Sequence, residues 1–108
     1  MSKTLRRVQA LVLSGDVLIS DHGYDELDDD GILAEDALLG IATAELVEDY
    51  PDRARGSSVL ALQFDAAGQA IHVVWAIPAG ERRPAVLVTA YRPDPALWDS
   101  EFKRRSKT

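Results

Sequence analysis

The sequence predicts an α+β fold in a single domain spanning residues 1–108: N-terminal helices packed on a three- to four-stranded antiparallel sheet, followed by a C-terminal helix. Three observations carry that expectation. The first forty residues repeat apolar side chains at helical spacing, Ser57 to Tyr91 holds three β-rich runs joined by two short connections, and 108 residues suffice for one core without staples. There is no cysteine, which excludes thiolate metal sites, a cysteine nucleophile and a disulfide framework. The basic start, Lys3, Arg6 and Arg7, precedes an apolar stretch that reaches only Leu13, too short for a signal peptide or a membrane span. The expectation is a soluble cytoplasmic protein with no membrane partner.

Each element has a local cause. Leu5, Val8, Leu11 and Val12 share one helical face within residues 1–16, and Gly15 is placed to stop that helix. Val17 to Ser20 reads as a short extended link. Asp21 then caps a helix carrying Tyr24 and Leu27, which Gly31 ends, and Leu33 to Ile41 repeats the helical spacing through Ala34, Ala37 and Leu38. Ala44 to Tyr50 is an edge strand ended by Pro51. Ser57–Asp65, Ala70–Ile77 and Ala85–Tyr91 form an antiparallel meander. Pro93-Asp94-Pro95 supplies a stop, an N-cap and a first-turn proline for a final helix from Ala96 to about Arg105.

Strand alternation selects the residues free to do chemistry. Ile71, Val73, Trp75 and Ile77 make a core face and leave His72, Val74 and Ala76 opposite. Leu60, Leu62 and Phe64 leave Gln63 opposite, with Val59 and Ala61, and Val86, Val88 and Ala90 leave Leu87, Thr89 and Tyr91 opposite. In mutual register, these sets give a helix-covered face and a second face displaying Gln63, His72, Thr89 and Tyr91.

Charge is segregated along the chain. Residues 1–52 hold thirteen acids against three bases, net −10, and residues 53–108 hold nine bases against five acids, net +4. A chain of net charge −6 can therefore still present a positive face to a polyanion. The plain alternative is that the two sets pair across the fold.

The residues His22-Gly-Tyr-Asp-Glu-Leu27, Asp30-Gly-Ile32, Val47-Glu-Asp-Tyr-Pro51, Ile71-His-Val-Val-Trp75 and Val88-Thr-Ala-Tyr-Arg-Pro-Asp-Pro95, in that order and spacing over residues 17–105, resemble the bacterial family called domain of unknown function 4258. That family is similar in architecture to the RelE and BrnT type of small ribonuclease toxins, whose genes often lie beside small antitoxin-like genes. The resemblance implies a metal-independent ribonuclease toxin or a relative of one, with no cofactor, with RNA as substrate and a small antitoxin-like protein as partner. Many members carry Arg four residues after the histidine and again before the Gly-Ile pair; here those positions are Glu26 and Asp30. The basic work then falls to Arg92, Lys103, Arg104 and Arg105.

Such cleavage needs a base for the 2′-OH proton, an acid for the leaving oxygen and a cation over the phosphate. His22 and His72 are the side chains that ordinarily titrate near neutrality, Tyr91 can donate a proton, and Arg92 has a fork that fits two phosphate oxygens. The catalytic candidates are therefore His72, Tyr91, Arg92 and His22, and the RNA-binding candidates are Lys103, Arg104 and Arg105. Each has a plain counterpart: His72 as a bonded strand histidine, Arg92 in an ion pair with Asp94 or Asp99, Tyr91 as core, His22 as a packing residue, and the basic tail as a complement to a helix C-terminus. His22 with Glu26, near Asp21 or Asp25, could hold a divalent ion, but chance places such ligands in any acidic stretch, and no metal is expected. Trp98 and Phe102, one helical turn apart, read as core anchors. No phosphate-cradling glycine pattern or serine elbow is present. A second function class remains open: a non-catalytic binding module of the same fold, using its acidic helices to bind a protein partner.

Overall fold

The computed structural model describes residues 2–105. Helix α1 (Lys3–Leu13) starts because the Ser2 hydroxyl accepts the Leu5 N–H at 3.0 Å, buries Leu5 and Val8, and gives way to Gly15 at φ 83°. Strand β1 (Val17–Ile19) follows. Helix α2 (Asp21–Asp29) is capped by Ser20, not by the expected Asp21: the Ser20 oxygen accepts the Gly23 N–H at 2.9 Å. Glycine is required at 23 because a Cβ there would sit 2.7 Å from the Leu87 carbonyl oxygen, so the helix can lie directly on the strand beneath. Helix α3 (Ala34–Leu39) runs into a 3-10 turn at Gly40–Thr43. Strands β2 (Glu45–Tyr50), β3 (Gly56–Phe64), β4 (Ala70–Pro78) and β5 (Ala85–Tyr91) complete the set.

The α+β class holds, with a different sheet from the three- to four-stranded antiparallel one expected. Five strands stand in the order β1-β5-β4-β3-β2, and β1 runs parallel to β5, pairing Val17 with Ala85 and Ile19 with Leu87. The sheet is therefore mixed. Three residues give too little alternation to be read as a strand, but the pairing is extended at both ends, by Ala85 N–H to the Asp16 carbonyl at 3.1 Å and Ser20 N–H to the Leu87 carbonyl at 3.0 Å.

One face of the sheet carries the helices. Val59, Ala61, Ile71, Val73, Trp75, Leu87 and Ala90 are buried against Leu5, Val8, Leu27, Ala37 and Ile41, an apolar core of the kind that supplies most of a small domain's stability. Gln63 belongs to this face, as do Val59, Ala61 and Leu87, a correction to their expected place beside His72. Antiparallel pairing sets Gln63 opposite Ile71 and Ala61 opposite Val73, and directly paired residues share a face. Inside the core the Trp75 indole N–H donates to Gln63 Oε1 at 2.8 Å, and Gln63 Nε2 donates to the Ala37 carbonyl at 2.7 Å. This relay ties the sheet to α3 and leaves no polar group of the pair unsatisfied.

The expected C-terminal helix is absent. Residues 92–105 form a strap of turns that crosses the second face. Asp94 Oδ1 accepts the Ala96 N–H at 2.9 Å, and Asp99 Oδ1 accepts the N–H groups of Glu101 and Lys103 at 3.1 and 3.2 Å; a bridge joins Trp98 to Arg105. Aspartates that draw nearby N–H groups to their own side chains compete with helix formation. The proline-aspartate start signal is thus spent on turns. No helix among the described residues is long and apolar enough to cross a membrane.

Replacing Gln63 with alanine strands the Trp75 N–H and opens a cavity. The expected loss is about 2–4 kcal/mol of unfolding free energy, measured by urea denaturation followed at the tryptophans; a loss under about 0.5 kcal/mol would show that the relay is dispensable.

Candidate functional site

Two bulges assemble the second face. In β2, Leu46 pairs with Ala61 and Glu48 with Leu60, leaving Val47 unmatched; the extra residue turns Glu45, Glu48 and Tyr50 all toward the side of Leu62 and His72. In β5, Val74 pairs with Thr89 and Trp75 with Leu87, leaving Val88 unmatched. Tyr91 pairs directly with His72, and the two rings meet edge to face with centroids 5.3 Å apart.

His72 is fully buried beneath the strap. Its Nε2 lies 2.7 Å from the Phe102 carbonyl oxygen and its Nδ1 3.3 Å from the Tyr91 hydroxyl, while the Trp98 ring packs edge-on at 4.5 Å. A carbonyl only accepts, so Nε2 carries the proton and Nδ1 accepts from the phenol. Burial pushes the imidazole pKa below its ordinary 6.5, the Phe102 contact opposing that only in part. The histidine is neutral and both nitrogens are engaged. Phe102 makes this contact from φ 60°, a left-handed conformation that costs a non-glycine residue about 1 kcal/mol.

Around this centre lies a ring of charge. The Arg105 guanidinium sits 4.6 Å over the Trp98 ring and 3.4 Å from the Glu48 carboxylate. Lys103 reaches Glu45 at 3.3 Å and Glu101 at 3.5 Å, and the Glu45 contact raises its pKa. Burial raises the Tyr50 phenol pKa, helped by the neighbouring Glu48 carboxylate, and burial likewise raises Tyr91, against the pull of Arg105. Both phenols therefore keep their protons at neutral pH. Four of the residues singled out from sequence, His72, Tyr91, Lys103 and Arg105, come together here, and Glu45, Glu48 and Tyr50 join them.

The others lie elsewhere. Arg92 donates through Nη1 to Asp65 at 2.7 Å, and its backbone N–H donates to Asp30 Oδ2 at 2.8 Å, so its ion-pair partner is neither Asp94 nor Asp99. It follows Tyr91, and alternation sends it to the helix side of the sheet end. The Asp65 carboxyl is held below the usual range, first by the Gln69 N–H and then by Arg92. His22 is exposed on α2, 3.5 Å from Glu26. Arg104 is exposed, its carbonyl accepting the Asp99 N–H at 2.8 Å. Among the described residues no group of three or more histidine, aspartate or glutamate side chains is gathered as a metal site would need.

A family model described as Domain of unknown function (DUF4258) matches residues 19–92. The chain belongs to that family. Searches of curated proteins and of solved structures gave no match. The DUF4258 span contains Glu45, Glu48, Tyr50, His72 and Tyr91 and stops before Trp98, Lys103 and Arg105. Sequence reasoning missed Glu45, Glu48 and Tyr50 because a bulge cannot be read from alternation; two acids in an edge strand, three residues apart, were the available signal.

The neutral His72 makes stability depend on pH. The unfolded chain takes up a proton as pH falls through about 6.5 and the buried imidazole does not, so this contribution is complete above that value and is lost below it, at up to about 1.4 kcal/mol per pH unit. Urea midpoints measured from about pH 7 to 5 should fall more steeply for wild type than for His72→Gln; parallel curves would show a histidine that titrates freely in the fold.

Proposed function

We propose that the protein is a RelE-like, toxin-like component of a bacterial toxin-antitoxin system, and that the strap-covered face of its sheet is a metal-independent endoribonuclease site. The observation that carries this reading is the convergence of His72, Tyr91, Lys103 and Arg105 around Glu48 on one face. The roles follow from protonation. His72, neutral and bonded at both nitrogens, positions Tyr91 and the strap. Glu48, whose side chain is partly exposed, takes the 2′-OH proton, the freed oxygen attacks the adjacent phosphorus, and the 5′ oxygen leaves with the proton of Tyr91, giving a cyclic phosphate and a 5′ hydroxyl. Arg105 exchanges Glu48 for the phosphate, where a charge-assisted fork is worth more than a surface ion pair. A small antitoxin-like protein is the partner that the family resemblance supplies.

A second reading has its own support. Arg92 is held by Asp65 and Asp30, and the acidic α2 carries no cation of its own, which suits a non-catalytic module that binds a basic protein through its helices. Induced expression in a bacterial host separates the two. Wild type should arrest growth and fragment cellular RNA, Glu48→Gln and Arg105→Ala should each restore growth with RNA left intact, and His22→Ala should remain as active as wild type. Normal growth and intact RNA with wild type at high expression would leave the binding-module reading standing alone.

A further inference from the structure

The end of the sheet farthest from α2's acidic C-terminus collects arginines that the cluster around Glu48 does not use. The β2–β3 connection holds Arg53 and Arg55, the β4–β5 connection holds Arg82 and Arg83, and the two connections lie side by side, Ala79 N–H donating to the Arg55 carbonyl at 3.1 Å. They can approach this closely because residue 56 is glycine at φ 123°, where a Cβ would fall 2.0 Å from the Ile77 carbonyl oxygen. Helix α1 adds Arg7, whose Nε donates to the Arg82 carbonyl at 3.2 Å. Between the connections runs an open cleft of about 350 Å³, lined in part by Arg53, Ser57 and Gly80.

Most of these cations, unlike Arg92, Lys103 and Arg105 of the strap, are uncommitted. Arg83 is held by Asp16 through two hydrogen bonds, but Arg53, Arg55 and Arg82 are exposed and take part in no ion pair among the described residues. Arg53 instead lies 4.3 Å over the ring of Tyr50, which shares a sheet face with Glu48. Arg53 thus borders the proposed site, and Arg55 and Arg82 lie on the two adjacent connections at the same end of the sheet. Asp52 and Glu81 stand on the rim of the same cleft and oppose an anion there.

We propose that Arg53, Arg55 and Arg82 form a phosphate-binding track for single-stranded RNA, leading away from Tyr50 at the border of the Glu48–Arg105 cluster. The choice of RNA as the polyanion rests on the ribonuclease reading; the anion-binding chemistry rests on the arginines. Spaced guanidinium groups beside an aromatic ring suit a flexible strand, whose phosphates take the charges while a base stacks on the ring.

The test is fluorescence anisotropy with a labelled 2′-O-methyl oligouridylate, which binds as RNA does but has no free 2′ hydroxyl to react. Binding by wild type should weaken as salt rises from about 50 to 200 mM, in proportion to the phosphates contacted. The Arg53→Ser/Arg55→Ser/Arg82→Ser variant should bind at least about tenfold more weakly at low salt, with the log–log salt slope reduced by about 2, since each single-strand phosphate contributes about 0.7. Asp52→Asn/Glu81→Gln should bind more tightly than wild type. All substitutions are at exposed loop positions, and an unchanged circular dichroism spectrum and urea midpoint check that the fold is kept. Absence of salt-dependent binding by wild type, or an unchanged slope in the triple variant, overturns the track. Binding of this form by a protein that leaves cellular RNA intact would keep the track and remove the ribonuclease, whereas RNA cleavage with an unaltered slope would do the reverse.

Discussion

Two unpaired residues, Val47 and Val88, decide which side chains of this sheet meet. Strand alternation has a period of two, so one inserted residue reverses the facing of everything beyond it. Without the insertion at Val47, Glu45 and Glu48 would lie on opposite faces and could not both meet the cations of the strap. Without the insertion at Val88, either Leu87 would leave the core or Tyr91 would turn away from His72. The polar cluster is thus a product of register. Its groups are placed by rigid backbone, and the core on the other face, locked by the Trp75–Gln63–Ala37 relay, keeps that register from slipping.

The strap over this face is held unevenly. Its ion pairs, Lys103 with Glu45 and Arg105 with Glu48, are partly exposed, and pairs of that sort contribute about 0–1 kcal/mol each. The firm attachment is Trp98, only 5% exposed and packed on His72, where truncation of a buried tryptophan costs roughly 3–5 kcal/mol. The Phe102 carbonyl, 2.7 Å from the Nε2 of the buried His72, is the second attachment, and the rim ion pairs are the weaker ties.

The helices and the three long strands were legible because their apolar residues repeat over enough positions to fix a period. Residues that act in short or singular ways were not. Val17–Ile19 is too brief to alternate, and its partner lies at the other end of the chain. Gln63 was assigned to the wrong face because Leu60 and Leu62 looked like the core set; both faces of β3 are in fact buried, one by the helices and one by the strap, so hydrophobicity could not tell them apart. The proline-aspartate-proline start signal was real, but Asp94 and Asp99 turn it into successive tight turns. Of the site, His72, Tyr91, Lys103 and Arg105 followed from residue chemistry and strand alternation, whereas Glu45, Glu48 and Tyr50 depended on a bulge that leaves no mark in composition.

The parallel pairing of β1 with β5 has a consequence for synthesis. Val17 finds its partner only at Ala85, so the first strand waits until the last has been synthesised, a long-range closure that slows folding. Tyr91, Trp98, Lys103 and Arg105 emerge later still. A nascent polypeptide on the ribosome therefore carries neither a finished sheet nor the cationic half of the cluster, and a product cut short before Trp98 lacks it permanently. The order of the genetic message itself defers whatever this surface does until residue 105 has been made.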